Sequence, residues 1–228
     1  MGTLIEFPNA SGTKATGYLA DAGEGAPGVL VIQEWWGLVP QIEATCDRLA
    51  AAGVTALAPD LYEGRKVPVS EPSEAAKAMM SLKVAAASAD LSGAVDELAA
   101  RTAHPRVGVV GYCMGGGLAL MLGSIRPDAV GAVVTCYGVY PWSEGQPDYA
   151  KLSAAVQIHC AGLDESFPPS AAEALAVTLR GLGREVELFV YDGANHAFAN
   201  EDRPEVYDPA AAALMFDRTV AFLAAGLR

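Results

Sequence analysis

Short runs of almost uninterrupted apolar, β-branched residues recur along the chain, each followed by a longer stretch with apolar residues at helical spacing. The runs are Val29 to Gln33, Val54 to Ala58, Arg106 to Gly111, Ala129 to Tyr137, Val156 to Ala161 and Glu185 to Tyr191. A strand with one face in water alternates polar and apolar residues, whereas these read as strands buried on both faces of a sheet. The helical stretches are Ile42 to Ala52, ended by Gly53; Ala85 to Thr102; Gly115 to Ile125, ended before Pro127; Ser170 to Leu182, ended by Gly183; and Pro209 to Ala225, ended by Gly226. Parallel strands need a connection of helix size between them, so strict alternation predicts an α/β fold with a mostly parallel central sheet and helices on both faces. Leu4 to Phe7 and Ala15 to Ala20 read as an N-terminal antiparallel hairpin. In such sheets ligands bind outside the carboxyl ends of the strands, so the loops after the strands are where chemistry is expected.

With 228 residues, no internal repeat and no polar tract that would mark a linker, residues 1–228 read as a single domain. The net charge of −12 repels a phosphate backbone or an anionic membrane, which argues against nucleic acid or membrane as a partner. No stretch approaches the roughly 18 apolar residues of a membrane helix, and MGTLIEFPNA has neither a basic nor an apolar leader region, so a cytoplasmic location is expected. Cys46, Cys113, Cys136 and Cys160 contain no C-x-x-C pair and have no histidine at zinc-finger spacing. Structural disulfides and a structural metal are therefore not expected.

One strand runs into a turn of unusual composition. Val107 to Val110 leads through Gly111-Tyr112-Cys113-Met114-Gly115-Gly116-Gly117 into the helical run Leu118 to Ile125. This has the form of a nucleophile elbow, in which the residues two before and two after the apex must lack side chains so that strand and helix can approach. Cys113 stands at the apex. There its sulfur meets a helix N-terminus, which favours a thiolate, and the Met114 amide is aimed at a developing oxyanion. Two plainer readings compete. A glycine-rich turn can cradle a dinucleotide, but Gly111, Gly115, Gly116 and Gly117 do not form G-x-G-x-x-G. A free cysteine can also be simply a small buried apolar residue.

An elbow of this kind is followed in chain order by an acid and then a histidine, each in a loop after a later strand. His196 lies just past the last strand run, in Asp192-Gly193-Ala194-Asn195-His196-Ala197-Phe198. His159 falls inside a strand run, where its ring is expected to be satisfied locally, and His104 belongs to the amino end of the elbow strand. Asp164 follows the strand Val156 to Ala161. Asp192 is too near His196 in sequence, and Glu165 points away if Asp164 points in. Capping of the next helix is the competing role for Asp164.

Val31-Ile32-Gln33-Glu34-Trp35-Trp36-Gly37-Leu38, Arg48-Leu49-Ala50 with Gly53, Ala58-Pro59-Asp60-Leu61-Tyr62, Gly111-Tyr112-Cys113-Met114-Gly115-Gly116, Gly162 with Asp164, and His196-Ala197-Phe198 together resemble the dienelactone hydrolase family of α/β-hydrolases. The match runs through nearly the whole chain in order. The resemblance implies an α/β-hydrolase fold and hydrolysis of a small ester or lactone through a thioester on Cys113, without cofactor or metal. It implies His196 as base, Asp164 as its orienter, and the amides of Met114 and Trp35 as oxyanion hole. Glu34 is implied to contact Cys113 at rest and to help draw its proton, and a carboxylate ending a buried apolar run does need a partner. Tyr137 and Trp36 are expected at the substrate.

Members that cleave dienelactone hold its carboxylate with two arginines, one of them four residues past the histidine. Here position 200 is Asn, Arg203 comes three residues later, and between Arg65 and Arg101 there are only Lys66, Lys77 and Lys83. Arg203 is then the one cation in a site loop able to pair a carboxylate. The expectation is an ester or lactone hydrolase acting as a monomer or weak homo-oligomer. The alternatives are a general small carboxylesterase that does not act on dienelactone, a hydrolase-like binding protein with an idle site, and a nicotinamide-dependent oxidoreductase.

Overall fold

The computed structural model describes residues 1–102 and 104–227. Its elements, in chain order, are β1 (Thr3–Pro8), β2 (Lys14–Ala20), β3 (Gly28–Ile32), α1 (Pro40–Ala51), β4 (Thr55–Pro59), α2 (Pro72–Ser81), α3 (Val84–Arg101), β5 (Val107–Tyr112), α4 (Met114–Ile125), β6 (Val130–Cys136), β7 (Ala155–Ala161), α5 (Pro169–Gly181), β8 (Val186–Tyr191) and α6 (Pro209–Gly226). The strands form one eight-stranded sheet in the order β1-β2-β4-β3-β5-β6-β7-β8. β2 is antiparallel to both its neighbours, β1 and β4, and every other adjacent pair is parallel. The expected hairpin is thus built into the sheet.

Alternate residues of the central strands feed two cores. Leu30 and Ile32 of β3, with Val107 and Val109 of β5, face Leu91 and Leu98 of α3, Leu118 and Leu122 of α4, and Ala172 and Leu179 of α5. Val29, Val31 and Val110 face Ile42, Cys46 and Leu49 of α1 and Met215 and Leu223 of α6. Both sets are almost wholly buried, which is why these strands carry no polar alternation.

Three expectations need correction. β8 is not buried on both faces: as a sheet edge it leaves Glu187 and Val190 exposed. α6 continues through Gly226, whose missing side chain lets the helix lie close to Ala132 of β6, rather than stopping before it. α2 was not expected, although Pro72 at its N-terminus and Ala75, Ala78 and Met79 at helical spacing are readable signals. No described helix is long and apolar enough to cross a membrane.

Sequential strands depart in opposite directions from β3, with β4 on one side and β5 on the other. The loops leaving the carboxyl ends of β3 and β5 therefore diverge and open a crevice between them. The elbow at that crevice depends on backbone contact. A Cβ on Gly111 would lie 1.9 Å from the Gly115 carbonyl oxygen, a distance no relaxation of side chains can relieve. Gly111→Ala should destabilise the protein by more than about 3 kcal/mol or prevent folding, whereas Gly181→Ala, with nothing within 4 Å of the added methyl, should be neutral or stabilising. Urea unfolding followed by circular dichroism measures both, and equal midpoints for the two variants would contradict this account of the elbow.

Candidate active site

Cys113 joins β5 to α4 with φ 53° and ψ −121°, a backbone conformation that a residue with a side chain adopts only under constraint. The constraint is visible. Its N–H donates to Cys136 O at 3.0 Å, and its carbonyl accepts from Gly116 N–H at 2.9 Å and Val139 N–H at 3.0 Å. Behind it, a Cβ on Gly115 would lie 2.4 Å from Ile32 O, so the start of α4 touches the end of β3. The sulfur sits at the N-terminus of α4 with the residue 7% exposed.

Asp164 follows β7 and His196 follows β8, and the two meet: Nδ1 of His196 is 2.8 Å from Oδ2 of Asp164. The other oxygen, Oδ1, accepts the N–H groups of Ser166 at 2.8 Å and Phe167 at 2.9 Å. Asp164 thus braces its own loop while holding the imidazole; the competing expectation, that it caps the next helix, is corrected, since α5 begins at Pro169 without a side-chain cap. Burial alone would lower the imidazole pKa. Hydrogen bonding to Asp164 and Cys113, with the negative charge of the Asp164 carboxylate, overcomes this and raises it to about 10. His159 is satisfied locally, as expected, by Tyr191 Oη at 2.8 Å and Gln157 Oε1 at 2.8 Å.

Glu34, just beyond β3, is 2% exposed. Its hydrogen bonds are not to the sulfur: Tyr137 Oη donates to Oε1 at 3.2 Å and Asn200 Nδ2 donates to Oε2 at 2.7 Å. The resting contact with Cys113 that the resemblance implies is therefore replaced by a clamp of two neutral donors. Burial raises the carboxyl pKa, opposed in part by the Asn200 hydrogen bond, by His196, by the Tyr137 hydrogen bond and by Arg203. Asn200 was visible in the sequence only as a missing arginine; its role as a clamp depends on a contact 166 residues away.

A cavity of about 130 Å³ lies over these groups. Cys113, His196, Glu34, Trp35 and Arg203 line it, with Met79 of α2 and Val139, Ser166 and Ala197, which sequence reasoning did not select. The β3–β5 register, Ile32 beside Gly111, brings Trp35 and Met114 to the ends of adjacent strands. Two expected substrate contacts are corrected. Trp36 is 1% exposed and packs in the core, edge-on to Trp35 at 5.1 Å; the two are the central residues of a turn closed by the Gly37 N–H to Glu34 O hydrogen bond, and only Trp35 reaches the cavity. Tyr137 has no exposed surface; it braces Glu34 and stands edge-on to His196 at 5.2 Å. Arg203 does reach the cavity, but Nε and Nη2 are both 2.8 Å from Glu205 Oε1. Among the described residues no group of three or more His, Cys, Asp or Glu side chains is placed to hold a metal ion.

A strand-turn-helix elbow at the crevice of this sheet, with a histidine and a carboxylate delivered by later loops, is the architecture of the α/β-hydrolases. The chain belongs to the dienelactone hydrolase family, whose model matches residues 15–227. It is 35% identical to Protein usf of Aquifex pyrophilus and 32% identical to the "Putative carboxymethylenebutenolidase" of Aquifex aeolicus, with 97% of both chains covered in each case. Among solved structures it is similar to a dienelactone hydrolase of Klebsiella pneumoniae, so titled with the qualifier "Putative", at 26% identity and a TM-score of 0.84, covering 98% of this chain and 99% of that one. A promiscuous phosphotriesterase from metagenomic libraries, described as dienelactone hydrolase-like, shares the fold at 21% identity and a TM-score of 0.83, covering 100% and 99%. The chain is accordingly a carboxylic ester hydrolase.

The other cysteines have quite different surroundings. Cys46, Cys136 and Cys160 are buried, and burial raises all three thiols, that of Cys160 to about 11. Iodoacetamide at neutral pH should therefore modify Cys113 at least tenfold faster than the other three, as read by peptide mapping over time. Comparable labelling of a second cysteine in folded protein would contradict the assignment of a distinctive environment to Cys113.

Proposed function

We propose that the enzyme hydrolyses small uncharged esters and lactones, with Cys113 as nucleophile, His196 as proton carrier and Asp164 as its orienter. The observation that carries this reading is the convergence of Cys113, after β5, and His196, after β8, on one small cavity, with the buried Asp164, after β7, hydrogen-bonded to the imidazole. The thiol proton passes first to Nε2 of His196, and the sulfur so freed attacks the ester carbonyl carbon. Negative charge develops on the carbonyl oxygen, where the amides of Met114 and Trp35 would receive it. The carbon–oxygen bond to the leaving group breaks as His196 returns the proton to the departing oxygen, leaving a thioester. Water, deprotonated by His196, then cleaves the thioester and restores the thiol. Imidazole basicity raised to about 10 suits the first proton transfer, since the imidazolium is stabilised beside Asp164.

Turnover of p-nitrophenyl acetate tests the reading. Cys113→Ala and His196→Ala should each reduce kcat/KM by about a thousandfold or more, and the double variant should lose no more than either alone, because the two residues serve one step. Asp164→Asn should retain more activity, since it disturbs tautomer and orientation only. Additive losses, or full activity in Cys113→Ala, would overturn the assignment.

The preference for uncharged substrates rests on two neutralised positions. Asn200 offers no charge and is engaged with Glu34, while the Arg203 guanidinium is engaged by Glu205. A thioester route also favours esters over amides, because thiolate leaves more readily than an amine. For a carboxylate-bearing lactone and its methyl ester, kcat/KM should favour the methyl ester severalfold, and Glu205→Gln should narrow the gap by freeing Arg203. A clear preference for the carboxylate in unmodified protein would refute this specificity.

A further inference from the structure

Beyond the small cavity over Cys113 lies a second one, of about 590 Å³, along the first turns of α4 and one flank of α5. The two cavities share Val139 and Ser166 in their walls. Both shared residues are tied to the reacting groups. Val139 N–H donates to Cys113 O at 3.0 Å, and Ser166 N–H donates to Asp164 Oδ1 at 2.8 Å. The second cavity also begins on the elbow helix itself: a Cβ on Gly117 would lie 2.2 Å from Val139 O, so the segment after β6 rests directly on the first turn of α4.

Its walls are uncharged and mostly apolar. Leu120, Tyr140, Tyr149, Phe167 and Leu175 supply the large surfaces, and no charged side chain lines it, in a chain whose net charge is −12. The hydroxyl of Tyr140 is hydrogen-bonded to the carbonyl oxygens of Glu144 and Gly145, at 2.9 Å and 2.6 Å, so its polar end is already satisfied. A groove with these walls favours an apolar group, and one that borders the cavity over Cys113 favours a group carried by the substrate itself.

The direction of entry follows from the proposed chemistry. The leaving oxygen must take a proton from His196, which places the alkoxy side toward the His196 and Arg203 wall of the small cavity. The acyl carbon is bonded to the Cys113 sulfur, and its arm extends the other way, past Val139. We propose that this groove is an acyl-binding subsite that takes an uncharged alkyl or aryl arm of the ester. The substrates of this enzyme are then esters with an apolar acyl chain of intermediate length, and the small cavity holds only the reacting carbonyl. This rests on the hydrolase reading above.

The test compares p-nitrophenyl acetate with p-nitrophenyl octanoate, and ethyl acetate with octyl acetate. Octanoate should exceed acetate in kcat/KM by about tenfold or more, each buried methylene being worth up to about fourfold, whereas lengthening the alkoxy side should bring little. Ala174 and Thr178 are exposed residues of α5 on one face, and both line the groove. Ala174→Trp and Thr178→Trp should each lower the ratio of octanoate to acetate turnover at least fivefold, and using the ratio cancels any general loss. No gain with acyl length, a gain with alkoxy length instead, or a ratio untouched by both substitutions would overturn the subsite. Absence of turnover with every ester would count against the hydrolase reading instead. In that event calorimetry of octanoate binding to Cys113→Ala protein decides the groove on its own: weakening by Ala174→Trp supports it, and no binding or no weakening overturns it.

Discussion

The close approach of Gly111 to Gly115 is the contact on which the remaining geometry depends. Strand β5 and helix α4 meet there backbone to backbone, at a separation that leaves no room for a side chain on either residue. A connection so tight leaves its apex one accessible conformation, and Cys113 takes it with φ 53°. Gly115 then rests against the carbonyls of Ile32 and Gln33, which draws the end of β3 to the same point and delivers Glu34 and Trp35 to the cavity. A cysteine in a flexible loop could sample this position, but it would not hold it. Here the sulfur is fixed by β3 and β5, adjacent strands buried along their whole length.

Much of this was legible in the sequence because the elements that position the site are those with the strongest periodic signal. Cys113, Asp164 and His196 each lie within five residues of the end of a strand, so strand order and chain order sufficed to nominate them. What the sequence left open is of another kind. Glu34 could be placed at a strand end, but not its partners, because Tyr137 and Asn200 lie 103 and 166 residues away and reach it only through the finished sheet. Trp35 and Trp36 are adjacent and chemically equivalent, and only the orientation of the loop sends one to the cavity and the other to the core. The helix α2 escaped because its apolar face is alanine and methionine, a weak periodic signal, yet it contributes Met79 to the cavity wall. β8 carries a strand composition whose burial depends on whether another strand lies beyond it, which local sequence does not encode.

Charge is arranged around the site with economy. A buried carboxylate with no partner is expensive, and one facing a cation is held firmly ionised. Glu34 follows neither course, since the amide of Asn200 and the hydroxyl of Tyr137 each occupy one oxygen without contributing charge. Its carboxyl pKa is raised, so proton exchange with a neighbouring group is less costly than it would be beside an arginine. Arg203 adds a distant positive charge that is largely answered by Glu205. Under the proposed mechanism, such a cavity would offer an uncharged ester its strongest fields where the reaction develops charge, at the sulfur, the imidazole and the carbonyl oxygen.

The strained residues follow the same logic. Among the described non-glycine residues with positive φ, Cys113, Tyr137 and Ala197 all lie at the site, with φ of 53°, 40° and 64°. They hold the sulfur, the brace of Glu34 and the residue after His196, and the first two sit at the carboxyl ends of adjacent strands, β5 and β6. Cys113 and Tyr137 are each secured by a backbone hydrogen bond to another segment, Cys113 N–H to Cys136 O and Tyr137 N–H to His159 O, while Ala197 is held within its own turn, where its carbonyl accepts from Asn200 N–H. The sheet can sustain such conformations because its ladder is complete up to these residues, so the cost of a disfavoured φ is met by hydrogen bonds that would otherwise be lost. Relieving the strain at any one of them, by shifting a strand end by a residue, would turn that side chain to the opposite face of the sheet and remove it from the cavity. The same rigidity that makes the residues uncomfortable is what keeps three groups from three strands within reach of one bond.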